Sequence, residues 1–145
     1  MQRSARSVLL VVAQFLGIAL VVLGGSWELP WWSWALFLAG ILLVLSAIRV
    51  MDAHRFTVFP EPRSGADLVV SGPYRFLRHP MYTAVLLCAF GTTIGAPSVL
   101  RWAASLGLVL VLLLKVRHEE GLLSRRYSDY GERMTGRWRL VPFIW

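Results

Sequence analysis

Apolar residues dominate four long stretches of the chain, and shorter polar segments separate them. The stretches cover about 8–25, 31–50, 80–97 and 99–116. An α-helix needs roughly 20 mostly apolar residues to cross the hydrocarbon core of a bilayer. Each stretch is close to that length, and no acidic or basic side chain lies near its middle. The pattern therefore predicts four transmembrane helices.

Short connections join these helices in pairs. Residues 26–30 are too few to fold independently, and Pro97 interrupts the helical hydrogen bonds between the last two stretches. We therefore expect two antiparallel hairpins, with Gly17 and Gly40 among the positions where helix backbones can approach closely. Prolines and glycines recur over 51–78, which predicts a loop between the hairpins.

The C-terminal segment, 118–145, has a different pattern. Leu123, Tyr127, Tyr130 and Met134 recur at spacings of four, three and four, while charged residues occupy the other positions. This periodicity is typical of an amphipathic helix. A basic and aromatic tail follows it, so the segment is expected to lie in the membrane interface.

The overall composition agrees with a membrane protein. Of the 145 residues, 57% are hydrophobic and only 16% are charged, and the mean hydropathy is +0.60. A soluble domain of this size would need far more polar surface. The sequence predicts one all-α integral membrane domain over 1–145, with four transmembrane helices as two antiparallel hairpins and an interfacial C-terminal helix.

Basic residues gather at one end of the predicted helices, and the formal net charge is +7. Cytoplasmic loops carry an excess of Lys and Arg, so both termini and the loop 51–78 are expected in the cytoplasm and the protein in the cytoplasmic (inner) membrane. Arg101 falls on the opposite side, where an aromatic belt is expected, formed by Trp27, Trp31, Trp32 and Trp34. Because topology accounts for the charge, no nucleic-acid partner is predicted. The remaining basic residues are Arg3, Arg6, Arg49, Arg55, Arg63, Arg75, Arg78, Lys115, Arg117, Arg125, Arg126, Arg133, Arg137 and Arg139.

No metal site is predicted. His54, His79 and His118 do not have the HExxH spacing of zinc enzymes, and Cys88 is the single cysteine. Cys88 lies within the third apolar stretch, where packing is its expected role.

The residues able to do chemistry lie where the third stretch begins and the fourth ends. Transporters usually keep ionisable groups at the middle of the membrane, and these stretches have none there, which disfavours a transporter. The candidate groups are Tyr74, Arg78, His79 and Tyr82 before or at the start of the third stretch, and Glu119, Glu120 and Tyr130 after the fourth. Antiparallel packing of the last two helices brings both groups to the same depth.

Each of these residues also has an ordinary structural interpretation. Arg78 can anchor the topology, and His79 can cap a helix. Glu119 and Glu120 can form weak ion pairs with neighbouring arginines. Two hypotheses therefore stay open on the residues alone: an enzyme, or a non-catalytic membrane protein that binds anionic lipid or a partner subunit.

An ordered set of motifs favours the enzyme. It consists of Gly72-Pro73-Tyr74-Arg75, then Arg78-His79-Pro80-Met81-Tyr82, then Glu119-Glu120 with Leu123, and finally Tyr127 and Tyr130 before a basic and aromatic end. In these motifs the chain resembles the integral membrane methyltransferases related to isoprenylcysteine carboxyl methyltransferase and the phospholipid N-methyltransferases. The resemblance covers roughly the C-terminal half of the chain.

The resemblance implies methyl transfer from S-adenosylmethionine to a lipid or small lipophilic acceptor at the cytoplasmic face. The acceptor atom would belong to a carboxylate, amine or thiol. By the resemblance, Arg78 would orient a carboxylate acceptor, and Glu120 would take a proton from an amine. The residues implied in cofactor binding are Gly72, Tyr74, His79, Pro80, Tyr82, Glu119, Glu120 and Tyr130.

Overall fold

In the part that the computed structural model describes, which is residues 4–51, 59 and 68–142, the regular secondary structure is helical. The four longer helices are α1 (Ala5–Leu23), α2 (Trp31–Val50), α3 (Pro80–Gly95) and α4 (Val99–Arg126). A short 3-10 helix (Gly72–Arg75) precedes α3, and a four-residue helix, α5 (Tyr130–Arg133), follows α4. These described residues contain no β-strand, so the predicted all-α class is confirmed.

Local sequence explains where the helices begin. The side chain of Ser4 accepts a hydrogen bond from the Ser7 backbone N–H and caps α1. Ser98 caps α4 in the same way, through the N–H of Arg101. Pro80 is the first residue of α3, where its missing N–H costs no hydrogen bond.

Three helices, α1, α2 and α4, are long and apolar enough to cross a membrane. The protein is therefore an integral membrane protein. The third predicted span, over 80–97, is shorter than expected because α3 ends at Gly95 after 16 residues. At about 1.5 Å per residue it rises about 24 Å, less than the ~30 Å of a hydrocarbon core. A fourth span stays a prediction.

Helix packing departs from the expected hairpins, because the closest contacts run between them. α1 packs antiparallel to α4, and α2 packs antiparallel to α3. Small residues permit both contacts. A Cβ built on Gly17 would lie 3.2 Å from Leu108, and one on Gly40 would lie 2.6 Å from Cys88 Sγ. The helices that a short connection joins are therefore not the ones that pack most closely. The close packing occurs where a glycine lets two helix backbones approach.

The helix bundle has two chemically different ends. We call one the basic end, where Arg6, Arg49, Arg78 and Arg117 lie. The other, the tryptophan end, carries Trp27, Trp31, Trp32 and Trp34 at the α1–α2 connection. Between the ends, α1, α3 and α4 share a buried apolar core formed by Val21, Leu86, Ala89, Ala104, Leu108 and Leu112.

Arg101, the basic residue at the tryptophan end, is fully buried. Its guanidinium donates hydrogen bonds to the backbone carbonyls of Val21, Gly25, Ser26 and Ala96 at 2.8–3.1 Å. It therefore joins the α1–α2 and α3–α4 connections. This structural role explains why one arginine lies apart from the others.

The predicted amphipathic helix over residues 123–134 is wrong as a single helix. α4 continues to Arg126, Tyr127 ends it, and α5 contains only four residues. The chain then turns at Gly136, whose φ is +73°, and returns to the start of α3. The returning residues, 134–140, are called here the C-terminal strap.

Backbone hydrogen bonds attach the strap to the segment before α3. The N–H of Trp138 donates to the carbonyl of Phe76 at 3.1 Å, and the N–H of Arg78 donates to the carbonyl of Trp138 at 2.8 Å. The N–H of His79 donates to the carbonyl of Arg139 at 3.1 Å. These bonds form a short parallel bridge between Leu77 and Trp138, which is not compatible with a helix at this part of the strap.

Candidate functional site

The candidate site lies at the basic end, where the start of α3 faces α4. His79 directly precedes α3 and is only 5% exposed. The strap fixes its backbone, and Thr83 one turn later donates to the carbonyl of Leu140 at 2.5 Å. Two independent contacts thus hold the beginning of α3 in place.

Glu119 of α4 contacts two aromatic side chains of the α3 start. The hydroxyl of Tyr82 donates to Glu119 Oε2 at 2.8 Å, and His79 Nδ1 lies 3.5 Å from the same oxygen. The His79 and Tyr82 rings are stacked, with centroids 5.4 Å apart and planes inclined by 8°. The structure therefore brings Glu119 into contact with Tyr82 and His79, which precede it in the chain by 37 and 40 positions.

Glu120 contacts three cationic groups instead. Its Oε1 lies 3.4 Å from both Arg78 Nη1 and His79 Nε2. Its Oε2 accepts a hydrogen bond from Arg139 Nε at 2.9 Å. Arg78 also donates to the carbonyls of Met134 and Arg137. Glu120 thus links the start of α3 to the strap.

The acidic pair changes the protonation of His79. Burial alone would lower the pKa of His79, since it penalises the imidazolium. Hydrogen bonds to Glu119 and Glu120, and their charges, act in the opposite direction and outweigh burial. Together they raise the pKa of His79 from 6.5 to about 8. His79 is therefore mostly cationic at neutral pH.

The tyrosines on either side stay protonated. Burial, reinforced by the charge of Glu119, raises the pKa of Tyr74 well above its ordinary value. Burial and the charge of Glu120 raise the pKa of Tyr130 in the same direction. Both phenols are consequently available as hydrogen-bond donors rather than as bases.

A pocket of about 120 Å³ opens beside these groups. Its apolar wall includes Val44, Met51, Met81 and Val85. Its polar lining consists of Gln14, Tyr74, Arg78, His79, Tyr82, Lys115 and Glu119. We call it the polar pocket. Cationic, anionic and neutral hydrogen-bonding groups thus converge on one small space, as is typical of a ligand site.

Two polar residues of this pocket were not among the predicted site residues. Lys115 donates a hydrogen bond to Gln14 Oε1, and its Nζ lies 4.9 Å from the centre of the Tyr82 ring. Lys115 is 1% exposed and Gln14 is 8% exposed. The available signal was Gln14 itself, a strongly polar side chain within an apolar helix.

An apolar cavity of about 270 Å³ adjoins the polar pocket. Val44 and Val85 line both spaces. The cavity extends toward the tryptophan end, between α1, α2 and α3. Its other lining residues include Ile18, Phe37, Ile41, Cys88 and Thr92. A ligand with a polar head and an apolar body would match this arrangement.

Four predicted site residues lie outside the lining of the polar pocket. Gly72 has φ +58° and adjoins Val50 so closely that a Cβ would lie 2.5 Å from its side chain. Pro80 is fully buried at the start of α3, and Tyr130 is 4% exposed. Glu120 contacts His79 and Arg78 but does not itself line the pocket. Roles in ligand binding stay predictions for these four residues, as they do for the residues that line the pocket.

The described residues, with gaps at 52–58 and 60–67, contain no group of three or more His, Cys, Asp and Glu side chains able to hold a metal. His54 lies outside that described part. The side chain of His118 faces α1 instead, where its Nε2 lies 3.1 Å from Ser7 Oγ.

Comparison with known proteins identifies the broader group. A family model described as phospholipid methyltransferase matches residues 29–130. The chain is also 30% identical, over 127 residues, to the nickel-cobalt-cadmium resistance protein NccN of Alcaligenes xylosoxydans xylosoxydans. That match covers 84% of this chain and 57% of the relative, so the chain spans little more than half the relative's length.

Proposed function

Since the chain belongs to the phospholipid methyltransferase family, as its motifs predict, we propose that it transfers a methyl group from S-adenosylmethionine to a lipid or small lipophilic acceptor. Membership of the family supports a membrane methyltransferase activity. The cofactor, the acceptor class and the membrane face are the proposed parts. The observation that carries them is that the polar pocket lies beside an apolar cavity, with Val44 and Val85 lining both.

The donor set of the polar pocket fits the charged part of S-adenosylmethionine. Its carboxylate would pair with Arg78 and the cationic His79, because charge-assisted bonds to carboxylates are the strong ones. Its ammonium group would pair with Glu119. Opposite charges of the ligand therefore meet opposite charges of the protein.

The size of the polar pocket limits what it can hold. Complete ligand sites are usually about 300–1,000 Å³, and this pocket is about 120 Å³. It would hold the charged amino-acid part of the cofactor. The acceptor would occupy the apolar cavity of about 270 Å³ and present its reacting atom where Val44 and Val85 separate the two spaces.

The cofactor supplies a methyl group activated by a positively charged sulfur. The contribution of the protein is alignment and exclusion of water, which favour a displacement reaction. Tyr82 and His79 are held by stacking and by Glu119, so their positions are set before a ligand binds. Arg78 would orient a carboxylate acceptor. Glu120 would take the proton of an amine acceptor, or act by positioning Arg78 and His79.

We place the basic end, and both chain termini, in the cytoplasm. The support is the charge distribution, because Arg6, Arg49, Arg78 and Arg117 all lie at this end. The polar pocket would then open where S-adenosylmethionine is made and used. Reporter fusions at each terminus test this orientation in the inner membrane. A terminus found outside the cytoplasm would contradict it.

Titration with S-adenosylhomocysteine by calorimetry, on the protein in nanodiscs, tests the cofactor. We expect saturable one-to-one binding, weakened at least tenfold by Glu119→Gln, because a charge-assisted contact is lost. Glu132→Gln is the matched control, since Glu132 is exposed on α5 at the same end. Absence of saturable binding to folded protein would overturn the cofactor assignment.

The same titration distinguishes the methyltransferase from the second hypothesis. A non-catalytic protein that binds anionic lipid or a partner subunit would bind no S-adenosylhomocysteine. If binding is found, lipid extracts incubated with protein and a methyl-labelled cofactor identify the acceptor. We expect the label in a lipid-soluble product, with none formed by Glu119→Gln.

A further inference from the structure

A second polar pocket, of about 320 Å³, lies at the basic end between the start of α1 and the last turns of α4. Arg6 projects from the first turn of α1, and Arg117 and Arg125 project from α4. Its complete lining is Arg6, Arg117, His118, Gly121, Leu122 and Arg125. We call it the arginine pocket. Residues more than 100 positions apart in the chain form it.

The arginine pocket occupies a different face of α4 from the candidate active site. Successive residues of an α-helix are turned by about 100°. Arg117, Gly121 and Arg125 therefore share one face, whereas Lys115 and Glu119 project from another. The two pockets have no lining residue in common. The methyltransferase reaction proposed above makes no use of the arginine pocket.

Its charge is uncompensated among the described residues, 4–51, 59 and 68–142. No carboxylate lines it, and the ion pairs of these residues do not include Arg6, Arg117 or Arg125. Other arginines of the basic end differ, since Arg78 and Arg139 pair with Glu120. Three like charges converging on one space repel each other, so a multivalent anion would relieve the repulsion.

The walls of the pocket are held by a contact between helices. The hydroxyl of Ser7 lies 3.1 Å from His118 Nε2. Ser7 is fully buried and its N–H is bonded to the Ser4 cap. The distance between α1 and α4 is thus set beside the arginines. The pocket is an ordered space between two helices.

Its depth matches that of phospholipid headgroups. The apolar run of α4 ends at Leu114, one turn before Arg117, and Arg6 lies in the first turn of the apolar α1. Arginine at such a position reaches the interface. Guanidinium groups bind phosphate oxygens in a bidentate manner. Leu122 offers an apolar contact for the carbons attached to a bound phosphate.

We propose that the arginine pocket binds a phosphate group, supplied by the headgroup of an anionic phospholipid. The volume of about 320 Å³ leaves room for a phosphate and the glycerol attached to it. Arg6, Arg117 and Arg125 bind the phosphate oxygens. The site is separate from methyl transfer and lies on the neighbouring face of the same helix.

Native mass spectrometry of the full chain in a neutral detergent tests the proposal with two probes. One is dihexanoyl-phosphatidylglycerol, and the other is inorganic phosphate. The variants Arg117→Gln and Arg125→Gln each remove a pocket arginine. Arg117→Lys keeps the positive charge but cannot bind a phosphate through two parallel N–H groups as a guanidinium does. Arg49→Gln is the matched control, because Arg49 is exposed at the end of α2 at the same end of the bundle.

We expect one tightly bound phosphatidylglycerol per chain, held about tenfold more weakly by Arg117→Gln and Arg125→Gln. Arg117→Lys should fall between, and Arg49→Gln should match the unaltered protein. Inorganic phosphate binding with the same arginine dependence, without preference for lipid, would support the phosphate site and identify free phosphate as its ligand. Equal weakening by Arg49→Gln, or no saturable binding of either probe, would overturn the proposal.

These outcomes are independent of the enzyme assignment. The three substituted positions, Arg49, Arg117 and Arg125, lie outside the polar pocket, so S-adenosylhomocysteine binding is expected to be unchanged in every variant. Circular dichroism of each variant checks that its helix content is unchanged. Loss of lipid binding with intact cofactor binding therefore isolates the arginine pocket.

Discussion

Replacing Glu120 with glutamine tests whether Glu120 has a structural role and Glu119 a ligand-binding one. Glu120 contacts Arg78, His79 and Arg139, and its side chain is 14% exposed. Glu119 instead lines the polar pocket. We therefore expect Glu120→Gln to loosen the strap, because two of the three contacts join Glu120 to the segment that the strap holds and the third joins it to the strap itself.

The magnitude follows from the three contacts. Arg139 makes the shortest, at 2.9 Å, but its side chain is 39% exposed, so solvent screening limits that contact to about 1 kcal/mol. The contacts of Arg78 and His79 are long, at 3.4 Å, and each contributes about 1 kcal/mol. Glutamine keeps one acceptor oxygen. Of the three contacts, only that of Arg139 breaks when the strap leaves the start of α3, so the net loss is about 1 kcal/mol, which raises the open population of the strap roughly fivefold.

Limited trypsin digestion measures this opening, because Arg137 and Arg139 lie within the strap. We expect cleavage at these two sites to accelerate by that factor in Glu120→Gln when measured by mass spectrometry. Glu132→Gln, exposed on α5, should be cleaved at the unaltered rate. Equal strap cleavage in Glu120→Gln and the unaltered protein would refute the assigned contacts and leave Glu120 free to act directly on ligands.

Two further predictions concern pH and packing. The pKa of His79 is raised from 6.5 to about 8, so its charge contributes stability that is complete below pH 6.5 and is lost as pH rises through about 8. The unfolding free energy should fall by about 2 kcal/mol more between pH 6.5 and 9 in the unaltered protein than in His79→Gln, and parallel curves would contradict this. Gly40→Ala should cost about 1–3 kcal/mol, because its Cβ would lie 2.6 Å from Cys88 Sγ and 2.8 Å from the carbonyl of Ala84. Gly107→Ala is the control, since no atom lies within 4 Å of its Cβ, and equal midpoints in an SDS titration would show that α2 and α3 can separate freely.

Helix positions were predictable from the sequence because apolar length and local signals determine them. The predicted span 31–50 coincides with α2 (Trp31–Val50), and α3 begins at Pro80 as expected. Helix pairing was not predictable from apolar pattern, since lipid is as apolar as a neighbouring helix. The packing of Gly40 against α3 depends on shape, which the hydrophobic pattern does not record.

The candidate site was predictable in part for the same reason. Motif residues His79, Tyr82 and Glu119 meet as the antiparallel arrangement of α3 and α4 requires. The strap was missed, because it is held by backbone hydrogen bonds that leave no periodic signal in the side chains. The chain leaves the helix at Tyr127, although the apolar spacing of Tyr130 and Met134 suggested a continuing helix.

Arginine shows why residue type alone does not identify a site. Arg101 is fully buried, and its guanidinium donates its hydrogen bonds to backbone carbonyls, so it has little capacity left for a ligand. Arg78 is partly committed, to Glu120 and the strap, and partly faces the polar pocket. Arg117 lines a pocket without a carboxylate. The three therefore differ in unused hydrogen-bonding capacity, which is smallest in Arg101, intermediate in Arg78 and largest in Arg117, the arginine of the proposed phosphate site.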